Sequence, residues 1–342
     1  MSTLAAIILA AGKGTRMKSS RAKVTFPLAG KPMIQRVVDS AISIDCTSIC
    51  VVVGFQKDSV IACLDEDDRI QFVEQAEQLG TGHAVMMTEP LLKDHEGDIL
   101  ILSGDVPLLS EHTLKRIISG HRAENASCTV LTAFLDDPGK YGRVLRDAAG
   151  SLMGIVEFKD ATAEQCQIKE WNTGIYCFRA RDLYQALQQI SNSNQQKEYY
   201  LTDTVSILYA LDRKVAAVVL NDLMEVAGVN SQEQLAGLED EFINRIRRHW
   251  LNNGVVIHNP TTVYIDDEVI LEPDVEIGQG SILRGRTLVE SGCQIGPNCL
   301  IEHSRVCNDS ILEGYNILVN AHIPEHHIVA WGESVLEESS YE

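Results

Sequence analysis

The sequence predicts an α/β chain in two parts: a mostly parallel sheet covered by helices, then a short left-handed parallel β-helix. Three observations carry that expectation. Short apolar runs alternate with amphipathic stretches up to about residue 227; the first run ends in a glycine-rich turn; and from Ile265 the apolar period becomes six.

The elements follow in chain order. Residues 5–9, 48–53, 99–102, 128–133, 174–178 and 215–219 are short apolar runs of strand length, as expected where a sheet is buried on both faces. Residues 33–42, 82–92, 111–122, 180–189 and 201–211 are the amphipathic stretches expected to cover it. A longer helix is predicted over 231–253, with Leu235, Leu238, Phe242, Ile246 and Trp250 in one stripe and Asn252-Asn253-Gly254 as its stop.

Beyond that helix, Ile265, Leu271, Ile277, Leu283, Val289, Ile295 and Ile301 stand at strict six-residue intervals, with Gly278, Gly280, Gly292 and Gly296 between them. Each triangular coil of a β-helix takes three hexapeptides, so every sixth side chain points into the prism. Ile317 and Ile323 resume the spacing after a slip near Asn308, which predicts about three coils over 265–323. The expected organisation is therefore a sheet domain at 1–230, a connecting helix at 231–253, the β-helix at 254–330 and an acidic tail at 331–342. His322, His326 and His327 fall where the repeat ends and are expected to face solvent rather than hold a metal.

Charge and cysteine usage exclude several classes of function. A net charge of −19, from 29 basic and 48 acidic residues, argues against a nucleic acid or an anionic membrane as partner, since both want a broad basic surface. No stretch approaches the ~20 apolar residues that span a bilayer, and the start lacks a basic region followed by a long apolar run, so a cytoplasmic location is expected. Nine cysteines show neither Cys-x-x-Cys nor a zinc spacing with histidine, and Cys50, Cys128 and Cys177 in apolar runs are expected to be reduced core residues.

Chemistry concentrates at strand ends, where open α/β sheets bind ligands. The opening strand runs into Ala10-Ala11-Gly12-Lys13-Gly14-Thr15-Arg16-Met17, and Lys23 follows. Glycines let the backbone close on a ligand, exposed N–H groups bind anionic oxygens, and Lys13, Arg16 and Lys23 supply countercharge. Met17 stands where a dinucleotide fold would want its third glycine, and no Gly-Lys-Ser/Thr follows. The loop thus reads as phosphate-handling of neither type. Ser103-Gly104-Asp105-Val106-Pro107 places a carboxylate just past another predicted strand, where it suits a magnesium ion shared with substrate phosphates. Further polar clusters at Gln75 through Gly82, Tyr141-Gly142-Arg143-Val144, Gly154 through Glu157, Asn172-Thr173-Gly174 and Gly228-Val229-Asn230 have the amides and small residues that read a base edge or sugar hydroxyls.

In this order, from about residue 4 to residue 250, these motifs together with Glu198-Tyr199-Tyr200-Leu201-Thr202-Asp203 resemble the sugar-nucleotide pyrophosphorylases. Within them the chain is similar to the uridylyltransferase half of the bacterial bifunctional N-acetylglucosamine-1-phosphate uridylyltransferase/glucosamine-1-phosphate acetyltransferases. The resemblance implies a Rossmann-like nucleotidyltransferase domain that makes UDP-N-acetylglucosamine and pyrophosphate from UTP and N-acetylglucosamine 1-phosphate, for cell wall biogenesis. It also implies residue roles: Leu9, Ala11, Gly12, Gln75, Gly80 and Thr81 around the uridine; Arg16 and Lys23 as catalytic cations on the triphosphate; Asp105 and Asn230 on Mg2+; Gly142, Glu157 and Asn172 on the amino sugar. Two residues depart from many relatives, Ser103 in place of an aromatic and Ala22 in place of proline.

Other readings keep the fold and change the chemistry. They are a pyrophosphorylase for another sugar 1-phosphate or nucleotide, and a non-catalytic sugar-nucleotide sensor, which would have had no need for the full set of Arg16, Lys23, Asp105 and Asn230. The family's β-helices pack as trimers, so a homotrimer is expected alongside a monomer. Because the repeat is expected to stop near Ile323, uridylyl transfer without acetyl transfer is expected.

Overall fold

The computed structural model describes residues 3–336; of the acidic tail expected at 331–342, residues 337–342 lie outside them. The chain divides into two compact units. One comprises the chain up to Phe26 together with Pro32–Gln232, and the other comprises Pro27–Lys31 and the chain from Glu233 onward.

The sheet of the first unit runs Val215–Leu220, Cys128–Phe134, Glu170–Arg179, Asp98–Ser103, Leu4–Leu9, Ser48–Val53 and Ile70–Glu74 from edge to edge. Every pairing along that path is parallel except those of Glu170–Arg179, which runs antiparallel to both its neighbours. Alternation divides the opening strand between two cores. Ala6 and Ile8 pack with Val37 and Val38 of helix Met33–Ser43, while Ala5 and Ile7 pack on the other face with Leu183, Leu187 and Val205. Burial on both sides explains why the central strands read as unbroken apolar runs. Leu9 pairs with both Val52 and Ser103, so the loops after residues 9 and 103 leave the sheet at one carboxyl edge.

Several boundaries differ from expectation for local reasons. The helix predicted over 82–92 is two, Thr81–Met86 and Glu89–Leu92, and Pro90 lies in the first turn of the second. Proline has no N–H to extend a ladder from the preceding turn, so it starts a helix rather than continuing one. Strand Ile70–Glu74 and the hairpin of Arg143–Arg146 with Leu152–Val156 were not anticipated, because polar residues interrupt their apolar patterns. The strand predicted at 174–178 spans Glu170–Arg179, with a register shift between Asn172 and Tyr176 and Gly174 at φ 82. A glycine takes that backbone without a Cβ penalty.

The second unit holds helix Gln232–Asn252 from Glu233 on and the β-helix. Ile243 joins Leu235 and Leu238 as the helix's buried residues, whereas Phe242, expected in that stripe, is half-buried. Three faces of short parallel strands follow, starting at Val256–Ile257, Tyr264–Ile265 and Ile270–Leu271 and containing five, five and four strands. This is the architecture expected of the left-handed β-helix. All seven aliphatics at six-residue spacing are buried in one core. After Ile301 the inward residues are Val306, Leu312, Leu318, Ile323 and Val329, so five-residue steps occur twice and the expected single slip is corrected. Ile317 points outward, 41% exposed, and Leu318 takes the inward position assigned to it. The coils also outrun the expected end near Ile323, since strands Ile328–Val329 and Ser334–Leu336 pair with the coil beneath. His322, His326 and His327 are exposed as expected.

Segment Pro27–Lys31 belongs to this second unit. Leu28 and Ala29 are buried, the Ala29 N–H donates to Glu239 Oε1 at 2.9 Å, and Lys31 pairs with Glu268 at 2.8 Å. All nine cysteines are free. Burial pushes the Cys50 thiol up to about 12 and those of Cys128 and Cys177 well above their ordinary value, which makes them inert core residues. Among the described residues no helix is long and apolar enough to cross a membrane.

Candidate active site

The loop after the opening strand brings Lys23 to the sheet edge through one glycine. Gly14 precedes the short turn Thr15–Met17 at φ 58, and a Cβ there would sit 2.7 Å from the Cβ of Lys23. Only glycine satisfies both the backbone and the contact. Lys23 Nζ then lies 2.5 Å from Asp105 Oδ2 and 3.1 Å from Asn230 Oδ1, and Arg16 Nη2 donates to the same Asn230 oxygen at 2.8 Å. The Val229 N–H donates to the Asp105 carbonyl at 3.0 Å, which ties the turn carrying Asn230 to the turn carrying Asp105. Two oxygens far apart in sequence thus converge on one positive charge.

A cleft of about 370 Å³ opens beside this cluster, and Leu9, Ala11, Gly12, Lys23, Gln75, Gly80, Thr81 and Asp105 all line it. Gly12 has open space where a Cβ would stand. Gly80 is constrained instead: at φ 111, its Cβ would meet the Tyr199 carbonyl oxygen at 2.5 Å. Gln75 is buried, and its Nε2 donates to the Gly80 carbonyl at 3.0 Å. Gln78, absent from the expected set, donates from Nε2 to the Ala11 carbonyl at 2.6 Å. Thr81 Oγ1 accepts from the Leu201 N–H at 3.2 Å and so links the 75–82 segment to the chain after Glu198.

A second cavity of about 320 Å³ is lined by Arg16, Lys140, Glu157, Phe158, Lys159 and Gln196. Gly142 borders Glu157 and Asn172 is bonded to Gly142, and neither lines this cavity. A Cβ on Gly142 would lie 3.6 Å from Glu157 Oε2, and the Asn172 N–H donates to the Gly142 carbonyl at 2.9 Å. The Asn172 side chain is already engaged, donating to Tyr176 Oη at 2.7 Å and accepting from the Gly174 N–H at 3.1 Å. Arg143 is buried and shapes the loop before it, donating to the carbonyls of Gly139, at 2.8 Å, and Tyr141.

Burial raises the Glu157 carboxyl above its ordinary value, and Asp203, Asp160 and Glu198 add like charge, although Thr202 Oγ1 donates to Oε1 at 3.1 Å. A carboxylate that accepts a hydrogen bond from a ligand loses that capacity when protonated. For a ligand of this cavity whose hydroxyl donates to Glu157, KM is therefore expected to rise as pH falls, beginning above the range where an ordinary glutamate titrates. A Glu157→Gln variant should flatten that limb, which steady-state profiles of kcat/KM against pH will test.

Lys140, Lys159 and Gln196 were missed as site residues because each is an ordinary polar residue beside a motif rather than inside one, and Gln78 because nothing set it apart from its neighbours within the 75–82 motif. The only available signal was a concentration of cations near Gly142 and Glu157 in a strongly acidic chain. Among the described residues no group of three or more His, Cys, Asp or Glu is placed to hold a metal.

The nucleotidyl transferase family matches residues 5–251. The bifunctional protein GlmU of Brevibacillus brevis is 44% identical over 323 residues, covering 94% of this chain and 69% of that protein. Those of Thermoanaerobacter pseudethanolicus and Enterococcus faecalis are 43% and 40% identical, covering 94% and 96% of this chain and 70% of each relative. With the family model matching most of the chain and GlmU proteins 40–44% identical over nearly all of it, the chain belongs to the nucleotidyl transferase family, on the branch of the GlmU proteins.

Proposed function

We infer that the chain is a UDP-N-acetylglucosamine pyrophosphorylase, which transfers the uridylyl group of UTP to N-acetylglucosamine 1-phosphate and releases pyrophosphate. The observation that carries this reading is the convergence of Asp105 and Asn230 oxygens on the Lys23 ammonium at the wall of the 9–12 cleft.

The same convergence supports Mg2+ as cofactor. A carboxylate and an amide oxygen are the hard donors magnesium takes, and both already face a single cation, so Asp105 and Asn230 would hold it. When bound, it supplies charge neutralisation to phosphate oxygens that crowd together during transfer. The chain's own residues do the rest. An oxygen of the sugar phosphate forms a bond to the α-phosphorus as the bond to pyrophosphate breaks, so alignment and electrostatics dominate. Lys23 and Arg16 bring fixed positive charge to the triphosphate. No covalent nucleophile is required.

Base choice rests on Gln75. With Nε2 held by the Gly80 carbonyl, Oε1 is the atom left to accept, and uracil offers an N–H donor at N3 where cytosine offers an acceptor. Leu9, Ala11, Gly12, Gly80 and Thr81 surround the uridine in this reading. Glu157, Gly142 and Asn172 face the amino sugar in this reading, and the cations Lys140 and Lys159, which line one cavity with Glu157, favour a phosphorylated ligand.

Pyrophosphate release across UTP, CTP, dTTP and GTP, each paired with several sugar 1-phosphates, tests the assignment. UTP with N-acetylglucosamine 1-phosphate is expected to be fastest. Faster release with another pair would reassign the substrate, and none with any pair would favour a sensor.

The reading extends to a cytoplasmic enzyme, supported by the free cysteines, and to a homotrimer through the β-helix. Ile282, Leu300 and Ile317 stack in register on one outer face, which gives self-association an apolar stripe. Sedimentation of the purified chain will distinguish a trimer from a monomer.

A further inference from the structure

Gln75 is held from two sides. Its Nε2 lies 3.0 Å from the Gly80 carbonyl oxygen and 3.0 Å from His83 Nδ1. A primary amide nitrogen carries two hydrogens, so an accepting Nδ1 leaves both engaged and requires the imidazole proton to sit on Nε2. His83 itself does not line the cleft, but Gln75 does. His83 lies on helix Thr81–Met86, which starts directly after Gly80, and its ring centroid is 6.4 Å from that of Tyr199.

We propose that His83 is a positioning residue for base selection, fixing the Gln75 amide so that only its acceptor oxygen is offered to the base. This rests on the reading of Gln75 as the group that meets the uracil edge. With the amide as found, Nε2 satisfies two acceptors. With the imidazole proton kept on Nε2, half a turn of the amide would bring Oε1 against the Gly80 oxygen and the Nδ1 lone pair together, two repulsions in place of two hydrogen bonds; a proton moved to Nδ1 would relieve the second of them. Without His83 the penalty falls to one contact, and the rotated amide presents an N–H₂ group that suits the N3 acceptor of cytosine. His83 thus protects the distinction between uracil and cytosine without touching either.

The test is the ratio of kcat/KM for UTP to that for CTP. His83→Leu removes the acceptor, and the ratio is expected to fall about tenfold, the size of one neutral hydrogen bond, with KM for UTP rising more than kcat falls. His83→Ala is a second acceptor-free variant should leucine disturb the fold. His83→Asn, whose Oδ1 can stand in for Nδ1, should retain most of the ratio. On a Gln75→Ala background, His83→Leu should change the ratio no further, because a residue acting through another has nothing left to act on. Undiminished selectivity in both acceptor-free variants, or additive effects in the double variant, overturns the proposal. A wild-type ratio near one in an active enzyme overturns the role given to Gln75 and the proposal with it, and leaves nucleotidyl transfer itself standing.

Discussion

Alanine at position 23 is expected to lower kcat for uridylyl transfer about 10²–10³-fold, the cost of deleting one preorganised charge that meets the transition state. Lys23 stands at the meeting point of three structural facts. It is brought in by a turn that only Gly14 can make, it contacts Asp105 at 2.5 Å and Asn230 at 3.1 Å, and it lines the cleft beside the opening strand. Pyrophosphate release at saturating UTP measures the effect. Arginine at 23 should restore activity only in part, because a planar fork cannot sit between two oxygens as a single ammonium does. Turnover by Lys23→Ala within a few fold of wild type would remove Lys23 from the mechanism.

Asp105→Asn carries the second large effect. The substitution keeps shape and removes one negative charge, so the backbone link from Val229 N–H to the residue-105 carbonyl survives while the oxygen pair proposed to hold magnesium loses its carboxylate. Turnover is expected to fall about 10²-fold or more at a magnesium concentration that saturates the wild type, and to recover partly as magnesium is raised. Chelation should abolish wild-type activity, and added magnesium should restore it. Equal magnesium dependence in Asp105→Asn and wild type would place the cation elsewhere.

Much of the fold was legible because periodicity is a direct physical consequence of burial. The central strands are apolar on both faces, and seven aliphatics at intervals of six announce a prism with one inward residue per side. What the sequence hid was register. A five-residue step swaps Leu318 for Ile317, and both are aliphatic, so composition alone cannot say which turns inward. The hairpin after Arg143 was hidden for a related reason, since a sheet extension open to solvent has no need of a continuous apolar run.

In the site, the motif residues were legible from their order, and the structure brings Lys23, Asp105 and Asn230 together although their contacts depend on three separate turns. Lys140 and Lys159 were not legible, because a lysine next to a strand has the same appearance whether it faces bulk water or a cavity. His83 was invisible for another reason. Its part is played through a neighbour's amide, and no spacing rule encodes which atom of a glutamine is pinned.

Five residues near the start of the chain, Pro27–Lys31, group with the later unit. The hydrogen bond from Ala29 to Glu239 spans 210 positions. During synthesis the early part of the chain emerges first and must wait, with Leu28 wet, until the far segment leaves the ribosome. A protein severed after Gln232 would keep the whole catalytic sheet yet carry an orphaned greasy loop four residues beyond its key lysine. Stickiness in such a fragment would then reflect an interlaced topology rather than a weak core.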